Sequence, residues 1–188
     1  MKKKQSLTAL TAVVFLLTFI FVSCNNDKNG SSTTSSNSDS TKMSNDKESK
    51  EERNKKTVMA SVDEINAHNT DAALKDATAD IVDYGDGSGN PVKGVDSVKA
   101  FVRELFTAFP DYKGENLMYF AEGDYVAVVG DWSGTFKKDA MGMKATGKSF
   151  KVRDTDIFKF NDEGKMIEHK GVQAMATIMN QVGAKMPQ

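Results

Sequence analysis

Hydrophobic positions cluster in two parts of the chain and are almost absent between them. An uncharged, mostly apolar run extends from Leu7 to Val22, shortly after three lysines. From residue 25 to 56 the only large apolar side chain is Met43. Such a polar segment buries too little apolar surface to offset the entropy of ordering it. The pattern predicts an export signal, a disordered linker and one folded domain over residues 57–188.

The folded part opens with apolar residues at helical spacing. Those from Val58 to Ile65 fall on one side of a helix, and Asn69, Thr70 or Asp71 can cap a second, short helix. The segment "DSVKAFVRELFTAFP" is the clearest amphipathic helix, because its apolar residues recur at i, i+3, i+4, i+7 and i+11. Its apolar stripe is typical of a helix that packs on a sheet.

Strand patterns dominate the second half of the chain. Four long segments rich in β-branched and aromatic residues are separated by turn residues: "ENLMYFAEG", "DYVAVVGDWSGTF", "KSFKVRDTDIFKFN" and "KMIEHKGVQAM". A short strand precedes the glycine-rich loop in "ADIVDYGDGSGNP", and "ATIMNQVG" predicts a terminal helix. Helices followed by long antiparallel strands predict an α+β domain, with the helices packed on the concave face of one curved sheet.

The stretch "DTDIFKFNDEGKMIEHKG" predicts a hairpin whose register can be counted. A left-handed Gly164 gives a three-residue loop. The opposed pairs that follow are Asn161–Lys165, Phe160–Met166, Phe158–Glu168 and Asp156–Lys170. Because side chains alternate, the last three pairs share one face, and His169 lies on the other. The shared face carries Phe158, Phe160 and Met166, so we assign it to the concave side of the sheet. We therefore expect an Asp156–Lys170 ion pair, which makes the carboxylate a poorer base.

Charge and cysteine content narrow the class of protein. Residues 57–188 carry fifteen basic and twenty acidic side chains without a basic stripe, which argues against a nucleic-acid partner. The single cysteine, Cys24, has no partner for an internal disulfide. Its setting, "FVSC", resembles the bacterial lipobox; the alternative is an incidental cysteine in an ordinary signal peptide. The resemblance implies a lipoprotein signal peptide over residues 1–23, then a lipidated cysteine and disordered linker over residues 24–56.

The same resemblance implies a cellular location. A lipidated Cys24 would attach the chain to a membrane of the cell envelope. The residue after the cysteine is Asn25 rather than Asp, which by resemblance to enterobacterial sorting favours the outer membrane.

Several motifs together resemble a known family. "AHNTDAALKDATADIVDY", "LFTAFPDY", "GDYVAVVGDWSGTF", "ATGKSF" and "DIFKFNDEGKMIEHKGV" are similar to the SnoaL-like polyketide cyclase group of the NTF2-like superfamily. The resemblance covers nearly all of residues 58–186. It implies a cone-shaped fold with an apolar pocket, in which related enzymes place an Asp and a His for proton transfer on a carbonyl substrate.

The chain departs from the family pattern at three motifs. Where the family often has "VDH", this chain has Tyr84 in place of the histidine, and where it often has "GTH", this chain has Phe136. Lys170 replaces the tryptophan of "EHW", and the Asp common after it falls near Ala174. The usual acid–base set is therefore expected to be largely missing.

Candidate site residues are carboxylates and aromatic side chains. The acid–base candidates are Asp83, Asp156 and Glu168, with Tyr84 as proton donor. The ligand-binding candidates are Tyr84, Trp132, Phe136, Phe158, Lys170 and Tyr119, and the alternative for Trp132 is core packing. We interpret His68 and His169 as structural. Two histidines about a hundred residues apart with no thiolate predict no metal site, and no cofactor is expected.

Two functions from different classes remain open. The favoured one is a binding module, a tethered cup that holds a small apolar or carbonyl-bearing ligand or a partner. The alternative is a cyclase or isomerase that uses the pocket carboxylates for proton transfer. Fold alone does not decide between them, because the superfamily hosts both roles. Apolar residues assigned to the convex face, Val152, Ile157 and Ile167, also predict a homodimer.

Overall fold

The computed structural model describes residues 39–184, with side chains from residue 50 onward. The predicted signal peptide, Cys24 and the first part of the linker lie outside the described residues. The helices within this range are α1 (Asp39–Asn66), α2 (Thr70–Ala73), α3 (Val95–Ala108) and α4 (Met175–Val182). None of these helices combines the length and apolar character needed to cross a bilayer.

The described strands form one six-stranded sheet. They are β1 (Ala77–Asp83), β2 (Val92–Lys93), β3 (Lys113–Glu122), β4 (Tyr125–Thr135), β5 (Ser149–Phe160) and β6 (Met166–Gly171). Their order is β2-β1-β6-β5-β4-β3. Neighbouring strands are antiparallel except β1 and β6, which run parallel. The predicted α+β fold is confirmed, and the parallel pair makes the sheet mixed rather than wholly antiparallel.

The helices cover one face of the sheet, which we call the inner face; the opposite one is the outer face. Buried residues of α1, α3 and α4 meet buried residues of the strands in one core, among them Val58, Val62, Val98, Met179, Val128, Phe150 and Phe160. Val152 belongs to this core and is 7% exposed. Its predicted place on the convex face is therefore wrong, because it alternates in phase with Phe150 and Phe160 along β5.

Helix α1 begins well inside the segment predicted to be a disordered linker, which is the main correction to the domain boundaries. The linker was expected to extend to residue 56, but the helix starts at Asp39. Lys50 lies 2.6 Å from Asp124 in the β3–β4 turn and 2.8 Å from Asp162 in the β5–β6 turn. Asn54 is fully buried. A composition argument counts apolar burial alone, so it misses a polar helix that is held by distant polar partners.

Candidate active site

A one-residue bulge in β6 reverses the predicted orientation of its side chains. The turn is as predicted: Gly164 has φ 76°, the Asn161 N–H donates to the Lys165 carbonyl, and Phe160 pairs with Met166. The next pair is Lys159 with Glu168, which leaves Ile167 without an opposing residue. Beyond the bulge, Phe158 pairs with His169 and Ile157 with Lys170, and Asp156 is opposite Gly171.

His169 therefore lies on the inner face, and the predicted outward orientation is wrong. Its Nδ1 is 3.0 Å from an oxygen of Asp83, and its Nε2 is 3.3 Å from an oxygen of Asp156. The Phe158 ring packs beside the imidazole, with ring centroids 4.9 Å apart. The Asp83 carboxylate also accepts the Gly85 N–H at 2.8 Å. Three strands, β1, β5 and β6, thus supply one Asp–His–Asp cluster.

The predicted Asp156–Lys170 ion pair is absent from the structure. Lys170 is directed to the outer face with Ile157 as its cross-strand partner. The hydrogen bond that Asp156 makes within the described residues comes from His169. The sequence-based argument that a lysine restrains this carboxylate no longer applies.

Burial and charge act in opposite directions on the cluster. Burial disfavours the charged form of His169, but hydrogen bonds and charges from Asp156 and Asp83 outweigh it and raise the pKa of His169 to about 10. Burial likewise raises the pKa of Asp83, and the hydrogen bond and charge of His169 outweigh it, so the pKa is lowered overall. At neutral pH the cluster contains an imidazolium and an ionised Asp83.

The cluster forms part of the wall of a small apolar cavity. The cavity has a volume of about 130 Å³ and lies between α1, α3 and the inner face. Its polar lining residues include Asp83, Asp156 and His169, and its aromatic ones are Phe101, Tyr112, Trp132 and Phe158. No lysine or arginine is among the described lining residues. Two carboxylates beside one imidazole leave the wall negatively charged whether or not the imidazole carries a proton.

Asp154 holds the chain that follows β6. Its carboxylate accepts the backbone N–H groups of Thr155, Val172 and Gln173, the last at 2.7 Å. Burial and the charge of Asp156 raise its pKa, against the effect of these N–H groups. Asp154 therefore fixes the end of the strand that carries His169, although sequence analysis did not single it out.

The predicted site residues separate into four locations. Asp83, Asp156, Trp132 and Phe158 line the cavity. Glu168, Lys170 and Tyr84 line a separate depression that also involves Tyr125 and Lys159, and Glu168 is paired with Lys159 at 3.0 Å. Phe136 is fully buried in the core against Phe109. Tyr119 lies beside α1 with Glu51 and Lys55, away from the cavity.

Two functional candidates were missed by sequence reasoning. His169 was interpreted as structural rather than catalytic, because strand alternation was counted across a bulge that the pattern does not reveal. Tyr112, which lines the cavity, was not weighed because it falls between α3 and β3. A signal for His169 existed, since it occupies the His of the family motif "EHW". Within the described residues, no group of His, Cys, Asp and Glu has an arrangement suited to a metal ion.

Comparison with known proteins identifies similar sequences and folds. The family model described as SnoaL-like polyketide cyclase matches residues 56–182. No curated protein matches the chain. A SnoaL-like protein from Jannaschia sp. CCS1 is 26% identical, with a TM-score of 0.62 over 70% of this chain and 92% of that one.

Two further solved structures have the same fold. AclR from Streptomyces galilaeus, for which a hydroxylase activity has been suggested, is 28% identical, with a TM-score of 0.60 over 71% of this chain and 97% of its own. IdmH from Streptomyces antibioticus, suggested to be a polyketide cyclase, is 19% identical, with a TM-score of 0.56 over 69% of this chain and 98% of its own. At that identity IdmH supports the fold alone.

Proposed function

We propose a function from the premise that this chain belongs to the SnoaL-like polyketide cyclase family. Its cavity binds a small uncharged carbonyl compound, and the protein moves a proton at the carbon beside the carbonyl. The observation that carries the proposal is the position of His169 between two carboxylates in the wall of an apolar cavity. Proton transfer needs a base within hydrogen-bond reach of the substrate and a group that stabilises the charge formed.

Asp156 is the base in this proposal. Only one of its oxygens takes part in its hydrogen bond with His169, so the other is available among the described residues. The α-carbon loses its proton to this oxygen, and the C–H electron pair moves into an enolate whose charge develops on the carbonyl oxygen. If the substrate has a neighbouring C=C bond, the dienolate can take the proton back from Asp156 at the γ-carbon, as in an isomerase. Alternatively, the α-carbon can attack a second carbonyl and close a ring, and the alkoxide formed takes the proton from Asp156.

His169 and Asp83 support this step, and neither residue gains or loses a proton in it. The imidazolium of His169 offsets the negative charge of the enolate, and this help is greatest once Asp156 has become neutral. Asp83 holds the Nδ1 side of the ring at 3.0 Å and so fixes its orientation. Asp83 is thus a positioning residue, whereas Asp156 is the residue that reacts.

The charge and size of the cavity define the substrate class. A wall with two carboxylates and no lysine or arginine among its described residues repels an anionic ligand. The volume of about 130 Å³ is close to that of an engineered apolar cavity of ~150 Å³ that holds benzene. We infer that the enclosed part accepts a neutral ketone or ester of about benzene size.

Deuterium exchange into cyclohexanone tests the proposed reaction. The full-length protein in D₂O should replace the α-protons faster than buffer does, as measured by proton NMR. Asp156→Asn should lower the rate by about 100-fold, within the usual range for a general base. Glu168→Gln is the matched control, because this carboxylate lies outside the cavity and its loss should leave the rate unchanged. Equal rates for Asp156→Asn and wild type, both folded by circular dichroism, would refute the role of Asp156.

A second candidate function is binding without turnover. The observation that favours it is that both imidazole nitrogens of His169 already contact carboxylates, so neither nitrogen is left to contact a ligand. In that case cyclohexanone binds but its α-protons exchange at the buffer rate. Either function predicts selection against anions: methyl levulinate should bind more tightly than levulinate, measured by ligand-observed NMR.

We also propose that the protein is attached to a membrane by a lipid anchor. The apolar run, the lipobox-like "FVSC" and Cys24 support a lipid anchor that holds the domain at the cell envelope, in the outer membrane. A domain held there would meet small apolar molecules that cross or leave the membrane.

A further inference from the structure

Tyr112 is held in a fixed orientation at the cavity. Its backbone N–H donates to the Phe109 carbonyl at 2.9 Å, and its own carbonyl lies 2.8 Å from Nε2 of His68. Its ring is stacked on Trp132, with centroids 5.6 Å apart and an interplanar angle of 24°. The ring centroids of Phe106 and Phe150 each lie 6.2 Å from that of Tyr112, with tilted ring planes. The side chain therefore has little freedom to turn toward another partner.

The hydroxyl group of Tyr112 has an unmet hydrogen-bonding capacity. Within the described part of the chain, every hydrogen bond of this residue involves its backbone. Tyr112 is partly buried, and its hydroxyl is not one of the fully enclosed polar atoms that lack a partner within the described residues. Because the residue lines the cavity, its hydroxyl can exchange water for a ligand that enters there.

The surroundings of Tyr112 keep it a donor. Burial, with the charges of Asp156 and Asp154, raises the pKa of its hydroxyl far above the usual value. A neutral phenol can give a hydrogen bond but does not ionise near neutral pH. An acceptor oxygen on the ligand is therefore the complementary group.

We propose that the Tyr112 hydroxyl donates a hydrogen bond to the carbonyl oxygen of the ligand, with the α-carbon toward Asp156. This inference rests on the proposed function for the ligand class, and it adds the group that selects and orients the carbonyl. Tyr112 takes the role that sequence analysis gave to Tyr84, which is 41% exposed and lies outside the cavity. When the enolate forms, the same hydrogen bond strengthens because the acceptor becomes negative.

Paired ligands of equal shape isolate this hydrogen bond. Cyclohexanone and methylenecyclohexane differ in having an oxygen or a CH₂ group at one position. Wild type should bind the ketone roughly three- to tenfold more tightly than the alkene, which corresponds to one net hydrogen bond. Tyr112→Phe should remove that preference by weakening the ketone alone, and Tyr84→Phe, the same change outside the cavity, should retain it. Dissociation constants come from ligand-observed NMR titrations of the full-length protein.

The outcomes separate this inference from the proposed reaction. Equal affinities of wild type for the two ligands overturn the inference without any variant, so a Tyr112→Phe protein that fails to fold does not obscure the result. A ketone preference that survives in folded Tyr112→Phe overturns it as well. A preference that is lost in Tyr112→Phe while wild type gives no deuterium exchange supports the hydrogen bond and refutes the reaction.

Discussion

At the scale of single residues, the site depends on one imidazole shared by two carboxylates. His169 is only 25% exposed, yet it carries a proton at neutral pH because Asp83 and Asp156 stabilise its charge. The cluster links the stability of the domain to pH. Because His169 already carries a proton, it acts as a cation beside the base Asp156 and is not itself the base.

Stability should fall as pH rises above neutral. The pKa of His169 is about 10 in the folded protein against 6.5 for an ordinary histidine. Its contribution is fully present below the unfolded pKa and is lost as pH rises through the folded one, at up to ~1.4 kcal/mol per pH unit. Allowing for partial exposure, we expect a loss on the order of 3 kcal/mol between pH 6.5 and 10. Urea unfolding across this range measures it.

The comparison variant is His169→Gln, which does not titrate in this range. Its free energy of unfolding should start lower than that of wild type and change much less from pH 6.5 to 10. Parallel pH profiles for the two proteins would show that His169 is not the group that titrates.

Gly114 should be required by the packing of the only tryptophan. A Cβ at this position would lie 2.6 Å from Cζ3 of Trp132, whose ring is held by Tyr112. Gly114→Ala should therefore destabilise the domain by about 1–3 kcal/mol through overpacking and shift the tryptophan fluorescence. Gly89→Ala is the control, since nothing lies within 4 Å of a Cβ there. Identical emission spectra for the two variants would contradict this packing.

At the scale of elements, helix α1 joins two turns at one end of the sheet. Lys50 is paired with Asp124 and Asp162, and Glu51 accepts the Gly123 N–H at 2.7 Å. These partners lie more than seventy residues away in sequence. The helical segment before residue 57 therefore belongs structurally to the domain.

Truncation tests the boundary of the domain. A chain that begins at residue 57 loses the contacts of Lys50, Glu51 and Asn54, so it should be roughly 2 kcal/mol less stable than a chain that begins at residue 39. Thermal unfolding by circular dichroism compares the two. Limited proteolysis of the full-length protein should yield a stable core that starts before Lys50. A proteolytic core that starts at or after residue 57, with unchanged stability of the shorter chain, would show that the linker extends to residue 56 and would contradict this boundary.

At the scale of the whole molecule, the sequence predicts attachment to a membrane. If Cys24 is acylated, Cys24→Ser should move the protein from the membrane fraction to the soluble fraction and remove the mass of the acyl chains. Cell fractionation and mass spectrometry measure both effects. Membrane association that is unchanged in Cys24→Ser would contradict a lipid anchor at this cysteine.

The outer face of the sheet supports the prediction of a homodimer. Tyr84 and Tyr125 are 41% and 49% exposed there, beside Ile157. Exposed apolar and aromatic surface of this kind usually marks an interface. Light scattering on the chain from residue 39 should give twice the monomer mass at tens of micromolar, and Ile157→Lys should give the monomer. A monomeric wild type at that concentration would remove the prediction.

Local patterns determined the types of the elements and much of the fold. The periodicity of α3, the long strands and the left-handed Gly164 turn are set by residues close in sequence, and the structure has all three. The motifs that suggested the family are also local, and the family match confirms them. The candidate base Asp156 was likewise identified from the sequence.

Tertiary structure alone decided which side chains meet. The bulge at Ile167 adds one residue to β6, and because strand side chains alternate with period two, this moves His169 to the inner face and Lys170 to the outer one. The start of α1 depends on partners in distant turns, and Tyr112 reaches the cavity through the packing of α3 on the sheet. A sequence determines periodicity within an element, but contacts between elements depend on register and on partners remote in the chain.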